Sequence, residues 1–345
     1  MAIDDRKQRV LTAIVSLYSA EGEPVGSTLL SRYFDMAVSS ATLRNEMAAL
    51  TKLGLLEQPH TSAGRVPSAK GYRYYLDRLL EQKNVLAKED KALIDGIFRE
   101  LDYDPDRLAA GAARALADLL GYGVVVTTPR AEDVRIAHYE LIQVGRSNVA
   151  VLAVTNAGGV RTRVARLDAP INLSQLQKLA GVLGRRLAFL TAADINSALL
   201  AGIAAELGAN GKILWPIVNA AVTLLQEAKK PRIFFEGQRY LLHWPEITGC
   251  LPHLLDTLAD NTTARAFIRP DGTGVSVRLG EDWEQCPMPG LAVASKRYLA
   301  GGGQTGVMAV IGPTRMDYQR ILPTLEYFSS LLGEGMSGQH IQEDD

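Results

Sequence analysis

At 345 residues the chain exceeds the roughly 100 to 200 of one ordinary domain, so two or three folded units are expected. Hydrophobic residues make up 47% and charged residues 22%, which excludes a disordered chain, and no apolar stretch is long enough to cross a bilayer. The net charge of −1 argues against a uniformly basic nucleic-acid binder, so the positive charge, if it matters, has to be local.

Residues 4–20 carry Val10, Leu11, Ile14, Leu17 and Tyr18 at steps of three and four, the signature of an amphipathic helix that Gly22 and Pro24 end. A short helix follows from Ser27, taken as its N-cap, to a turn near Asp35. The third helix starts at Ser39 or Ser40 and runs to Leu53, with Gly54 suited to the left-handed stop. After LLEQP, the segment HTSAGRVP suits the tip and return of a β-hairpin, and Ser68 caps a closing helix to Leu80. Three helices, a hairpin and a closing helix predict a winged helix-turn-helix over residues 1–83, with a charged connector over 84–104.

Beyond it, a helix from Pro105 to Leu120 precedes four strand-like runs, GVVVTT, RIAHYELIQV, NVAVLAV and GVRTRVARL, and then another helix, so an α+β domain is expected. Residues 194–262 switch to Ala/Leu-rich helices with a short strand pair in RIFFEG and QRYLLHW. Strands resume with GVSVRL, LAVASKRYL and GVMAVIG before a last helix to Leu332. The order predicts a unit at 194–262 inserted into a domain made of 105–193 and 263–332, with a disordered tail from 333 to 345.

The first 83 residues hold 11 Lys and Arg against 9 Asp and Glu, and the positive charge concentrates over residues 58–78, where Arg65, Lys70, Arg73 and Arg78 face Asp77 alone. At 100° per residue the third helix places Leu43, Met47, Leu50 and Leu53 on one face, and Ala41, Thr42, Arg44, Asn45, Ala48 and Lys52 on the other. Small residues let such a face approach the floor of the major groove, where Arg reads guanine and Asn reads adenine through paired hydrogen bonds. Ser39 and Ser40 stand at the helix start, where free amides and the positive dipole end suit a phosphate. His60, Thr61, Ser62 and Arg65 on the hairpin, followed by Lys70, Tyr72 and Arg73, add phosphate-binding donors. A solvated polar helix face and an ordinary charged hairpin are the plainer alternatives.

Other patterns carry less. His243, Cys250 and His253 lack a fourth ligand for zinc, and Gly301 to Gly303 lack the GK[ST] of a phosphate-binding loop. Cys250 and Cys286 form no CxxC or disulfide framework, as expected of a cytosolic protein. No catalytic constellation, cofactor motif or metal motif stands out, so a non-enzyme is expected.

Taken together, GEPVGSTLLSRYF, VSSATLRNEMAAL, GLLEQPHTSAGRVPSAKGYRYYLD and GPTRMDY at 312–318 resemble the heat-inducible transcription repressor HrcA family. The block from Glu23 to Asp77 is the specific part, and a weaker likeness extends to about Leu332. The resemblance implies a winged helix, a GAF-like domain and a dimerising domain inserted into it. It implies a homodimer that binds double-stranded DNA at an inverted-repeat operator, CIRCE, in chaperone operons of the groE and dnaK type, is released on heat shock and is kept competent by the chaperonin GroEL. Ser39, Ser40, Thr42, Arg44 and Asn45 resemble the family's recognition motif, and His60 through Arg65 its wing. A regulator that takes a small molecule in the GAF-like domain is the alternative, and a lined cavity there would favour it.

Overall fold

The computed structural model of the chain describes residues 3–80, 86–102, 104–129, 135–156, 159–228, 231–283, 287–301 and 304–338. Helix α1 (Asp5–Glu21) opens where the Asp4 carboxylate accepts from Lys7 N at 2.9 Å and closes at Gly22 with φ 73°. Helix α2 (Ser27–Tyr33) has Gly26, not Ser27, at its N-cap, because Ser27 already has helical geometry and makes no capping bond. Helix α3 (Ser40–Lys52) is capped by Ser39, whose Oγ accepts from Thr42 N at 3.1 Å. Strands β1 (Leu56–Glu57) and β2 (Val66–Pro67) pair as an antiparallel hairpin, and Arg65 adds a bridge to Val25 ahead of α2. Helix α4 (Ala69–Tyr74), capped by Ser68, runs on into a π turn over Tyr75–Leu79. The predicted order of three helices, hairpin and closing helix is therefore the observed one.

The expected connector is itself structured. Helix α5 (Lys88–Arg99) buries Ile94 and Phe98, and Phe98 meets Phe328 edge-on at 5.2 Å. It leads to α6 (Pro105–Leu120), which Asp104 caps.

The largest sheet has five antiparallel strands in the order β7-β3-β10-β9-β8: β3 (Gly123–Thr127), β7 (Ile233–Glu236), β8 (Ser276–Leu279), β9 (Leu291–Ala300) and β10 (Gln304–Pro313). Both faces are covered, which is why β3 is apolar at nearly every position instead of alternating. Val124, Val126, Met308 and Val310 pack on α6 and on α13 (Tyr318–Met336), in a core continuous with that of the N-terminal helices. Val125, Val293, Ala309 and Ile311 pack on α10 (Gln238–Leu241), α11 (Leu251–Ala259) and α12 (Asn261–Phe267).

A second sheet, β4 (Ile136–Gln143), β5 (Asn148–Thr155) and β6 (Val160–Arg166), is covered on one face by α7 (Leu173–Arg186), α8 (Ser197–Leu207) and α9 (Gly211–Ala228) around a core of its own. The interruption of the larger unit thus falls at 136–228, not at 194–262. Of the four consecutive strand-like runs only the first joins the large sheet, where it pairs with the RIFFEG strand, while QRYLLHW forms α10 and a turn instead of a strand. Strand propensity does not specify a partner, and pairing depends on which helices are available to cover each face. The last helix also outruns its expected end: Gly333 and Gly335 are buried inside α13, and a side chain at Gly333 would collide with the Leu299 carbonyl. The remainder of the expected tail, residues 339–345, lies outside the described residues.

Candidate nucleic-acid interface

Helix α3 faces outward because its apolar side is fully used. Leu43 and Leu50 are at 0% exposure and Met47 at 5%, all in the core shared with α1. Ala41, Arg44, Asn45, Ala48 and Lys52 form the opposite, exposed stripe, as the helical projection predicts. At the helix start Ser39 Oγ and Thr42 Oγ1 lie 2.9 Å apart, so these two half-exposed or exposed hydroxyls position each other. Ser40 is half-buried as the first helical residue. The Ser40 and Ala41 amides precede any partner within the helix, which leaves them to an anion.

Two features that hold α3 in place escaped the sequence reading. The turn before it passes through Asp35 and Met36 at φ 50° and 60°, and Ser31 Oγ braces that turn by donating to Val38 O at 2.8 Å. Asp tolerates the left-handed region, whereas Met at such a position carries strain that only the surrounding structure can impose. Glu46, on α3 itself, would repel phosphate, but Lys7 Nζ lies 3.2 Å from its carboxylate and Arg6 3.9 Å away. Asp4 first, then Glu46, hold the Lys7 ammonium above its ordinary pKa. The largely exposed Arg6 thereby adds a cation beside the stripe; an i, i+1 basic pair at a helix start was the available signal.

The hairpin divides the remaining predicted residues into two groups. His60, Thr61 and Ser62 are exposed at the tip, which Gln58 braces by donating to the carbonyls of Thr61 (2.9 Å) and Ala63 (3.1 Å). The others bond within the protein. Arg65 Nε donates to Thr51 Oγ1 at 3.1 Å, tying the hairpin to the end of α3, and Lys70 Nζ donates to Leu53 O at 2.9 Å, closing the C-terminus of that helix. Tyr72 is buried at 3% exposure and has no surface to offer a phosphate. Arg73 reaches the larger unit, donating to Val277 O at 2.9 Å and pairing with Asp282. Arg315 of the GPTRMDY segment lies over the Trp244 ring at 4.6 Å, pairs with Glu246 and donates to Ser19 O at 3.4 Å. Arg73 and Arg315 therefore seat the N-terminal helices on the larger unit.

Among the described residues no three His, Cys, Asp or Glu side chains gather to hold a metal, and Cys250 is a free thiol that burial pushes above its ordinary pKa; Cys286 lies outside them. No helix among them is long and apolar enough to cross a membrane.

Comparison with known proteins covers nearly the whole length. A family model described as the HrcA protein C terminal domain matches residues 106–322. The heat-inducible transcription repressor HrcA of Desulforudis audaxviator is 34% identical over 334 residues, covering 95% of this chain and 96% of its own. That of Pelotomaculum thermopropionicum is 33% identical over 347 residues, with 97% of each chain covered. A crystal structure of a hypothetical protein at 2.2 Å resolution shares the fold, with a TM-score of 0.73, 25% identity, and coverage of 98% of this chain and 99% of that one. The sequence relatives are transcription repressors by name. The chain belongs to the heat-inducible transcription repressor HrcA family.

Proposed function

We propose that this chain is a dimeric, sequence-specific repressor of heat-shock chaperone operons that reads an inverted-repeat operator through N-terminal winged-helix modules. The observation that carries the reading is the exposed stripe of α3, where Arg44 and Asn45 stand between the small residues Ala41 and Ala48, beside a hairpin tip that presents His60, Thr61 and Ser62. Side chains this small let the helix axis approach base edges, while Arg and Asn supply paired donors and acceptors. Two such helices related by a two-fold axis would meet two half-sites, which is what an inverted repeat offers. In this reading the five-stranded unit is the GAF-like domain and the β4–α9 unit is the pairing module. Heat releases the repressor from the operator, and the GroEL chaperonin keeps it competent.

A titration with the intact inverted-repeat duplex, a single half-site and a scrambled duplex, each with and without chaperonin, tests it. Linked binding should favour the intact repeat over the half-site by at least about a hundredfold. Equal affinity for repeat and half-site would reduce the module to a general DNA binder, and equal affinity for the scrambled duplex would remove the base contacts.

A further inference from the structure

At the end of the five-stranded sheet a cavity of about 440 Å³ opens between strands β3, β10 and β9 and the C-terminal end of α12. That volume lies within the range of small-molecule sites. Its lining is assembled by strand register. Val307 pairs with Arg297 across β10 and β9, and Val307 N donates to Thr127 Oγ1 at 2.9 Å, so Thr127, Val307 and Arg297 form a row on the face that carries α12. Helix α12 and the residues just after it contribute Arg265, Ile268 and Arg269 to the same cavity.

The polar atoms here are of one kind. Thr127 and Thr128 are buried at 4% and 6% exposure. Each hydroxyl oxygen already accepts from a backbone amide, Thr127 from Val307 and Thr128 from Arg232 at 2.8 Å. Each therefore has its proton left to give, and no acceptor for either proton is found among the described residues. Arg297 spends one nitrogen on Pro270 O at 3.4 Å and keeps its other donors. Among the described lining residues there is no carboxylate, while Arg269 and Arg297 reach the same partly enclosed space; Asp271 and Asp282 lie on the adjoining groove that both arginines also line. Two guanidinium groups that line one cavity favour an anionic ligand between them. Ile268, Val307 and Pro231 give the rest of the lining an apolar wall.

We propose that this cavity is a binding site for a small molecule that carries a carboxylate or phosphate on an apolar body, with Arg269, Arg297 and the two threonine hydroxyls as its donors. Arginine and hydroxyl donors match the geometry of such oxyanions, and the apolar wall takes the remainder of the molecule. Arg269 and Arg297 also line the adjoining groove where Arg73 meets Asp282. A ligand here therefore sits one arginine away from the seat of the DNA-reading helices.

The site stands on its own geometry, so it is tested on the full chain without DNA and its failure leaves the repressor reading untouched. Isothermal titration at constant ionic strength with inorganic phosphate, benzoate and the neutral isostere benzamide reads the chemistry directly. Saturable one-site binding is expected for phosphate, for benzoate or for both, and not for benzamide; phosphate alone identifies a phosphoryl ligand and benzoate alone a carboxylate. Arg269→Gln and Arg297→Gln should each weaken that binding about tenfold, the ordinary loss for a hydrogen bond to a charged group. Arg269 is exposed, so its replacement leaves the fold intact and separates lost binding from lost structure. No saturable binding of either anion by the unaltered chain up to about 10 mM, corresponding to a very weak site, overturns the proposal. So does equal binding of benzamide, or binding that both arginine variants retain in full.

Discussion

Arg44 and Asn45 face outward because Leu43, Met47 and Leu50 face inward, and helical geometry allows no other division. Replacing Arg44 with Ala should therefore leave the folded state unchanged and lower operator affinity by roughly 1 to 3 kcal/mol, the worth of one paired base contact. Undiminished affinity in a folded Arg44→Ala protein would remove it from the reading face. Arg65, Lys70 and Arg73 have the same chemistry in the sequence, yet their donors are directed at Thr51, Leu53 and the Val277–Asp282 segment. The partners of Arg73 lie more than 200 positions away, so nothing local distinguishes it from a phosphate contact. Arg73→Ala should leave the slope of log affinity against log salt unchanged and speed hydrogen exchange in α4 and β8. A slope reduced by about one would return Arg73 to the DNA. The effect on overall stability should stay below about 1 kcal/mol, because the ion pair is more than a third exposed.

Among the elements, those that announce their ends were legible. Helix α3 has a serine before it, an unbroken apolar period and a glycine after it, and its observed bounds follow. The hairpin was legible from its Ser, Gly and Pro residues, although its strands are only two residues each. What the sequence did not reveal was the allocation of strands to sheets, because β3 (GVVVT) and β5 (NVAVLAVT) are similarly rich in valine and differ in what lies across from them. The two units meet at Asp106 on α6, whose carboxylate pairs with Arg161 of β6 and, at 2.9 Å, with Arg232 just before β7. Asp106 and Arg161 are mostly buried, so Asp106→Asn strands a guanidinium. It should cost about 1 to 3 kcal/mol in denaturant unfolding. A variant as stable as the parent would show that packing alone joins the units.

At the scale of the whole molecule, the core of the N-terminal helices runs without a break into the inner face of the five-stranded sheet, while the β4–α9 unit has its own. The heat response is therefore expected to begin in the β4–α9 unit, with the N-terminal helices and the large sheet melting later and together. Differential scanning calorimetry should resolve two transitions, and Asp106→Asn should move them further apart. Melting of the N-terminal helices ahead of everything else would contradict this order.

The sequence by itself determined helix α3 with its exposed polar stripe, the hairpin beside it and the family resemblance, because these depend on periodicity, caps, turn residues and motifs that act over a few positions. Tertiary structure alone decided that Arg65, Lys70 and Arg73 bond within the protein and that Arg73 and Arg315 seat the N-terminal helices on the larger unit. It also decided where the larger unit is interrupted, and it brought Thr127, Arg269 and Arg297 around one cavity. Each of those outcomes depends on contacts between segments tens to hundreds of residues apart, and no local propensity encodes them.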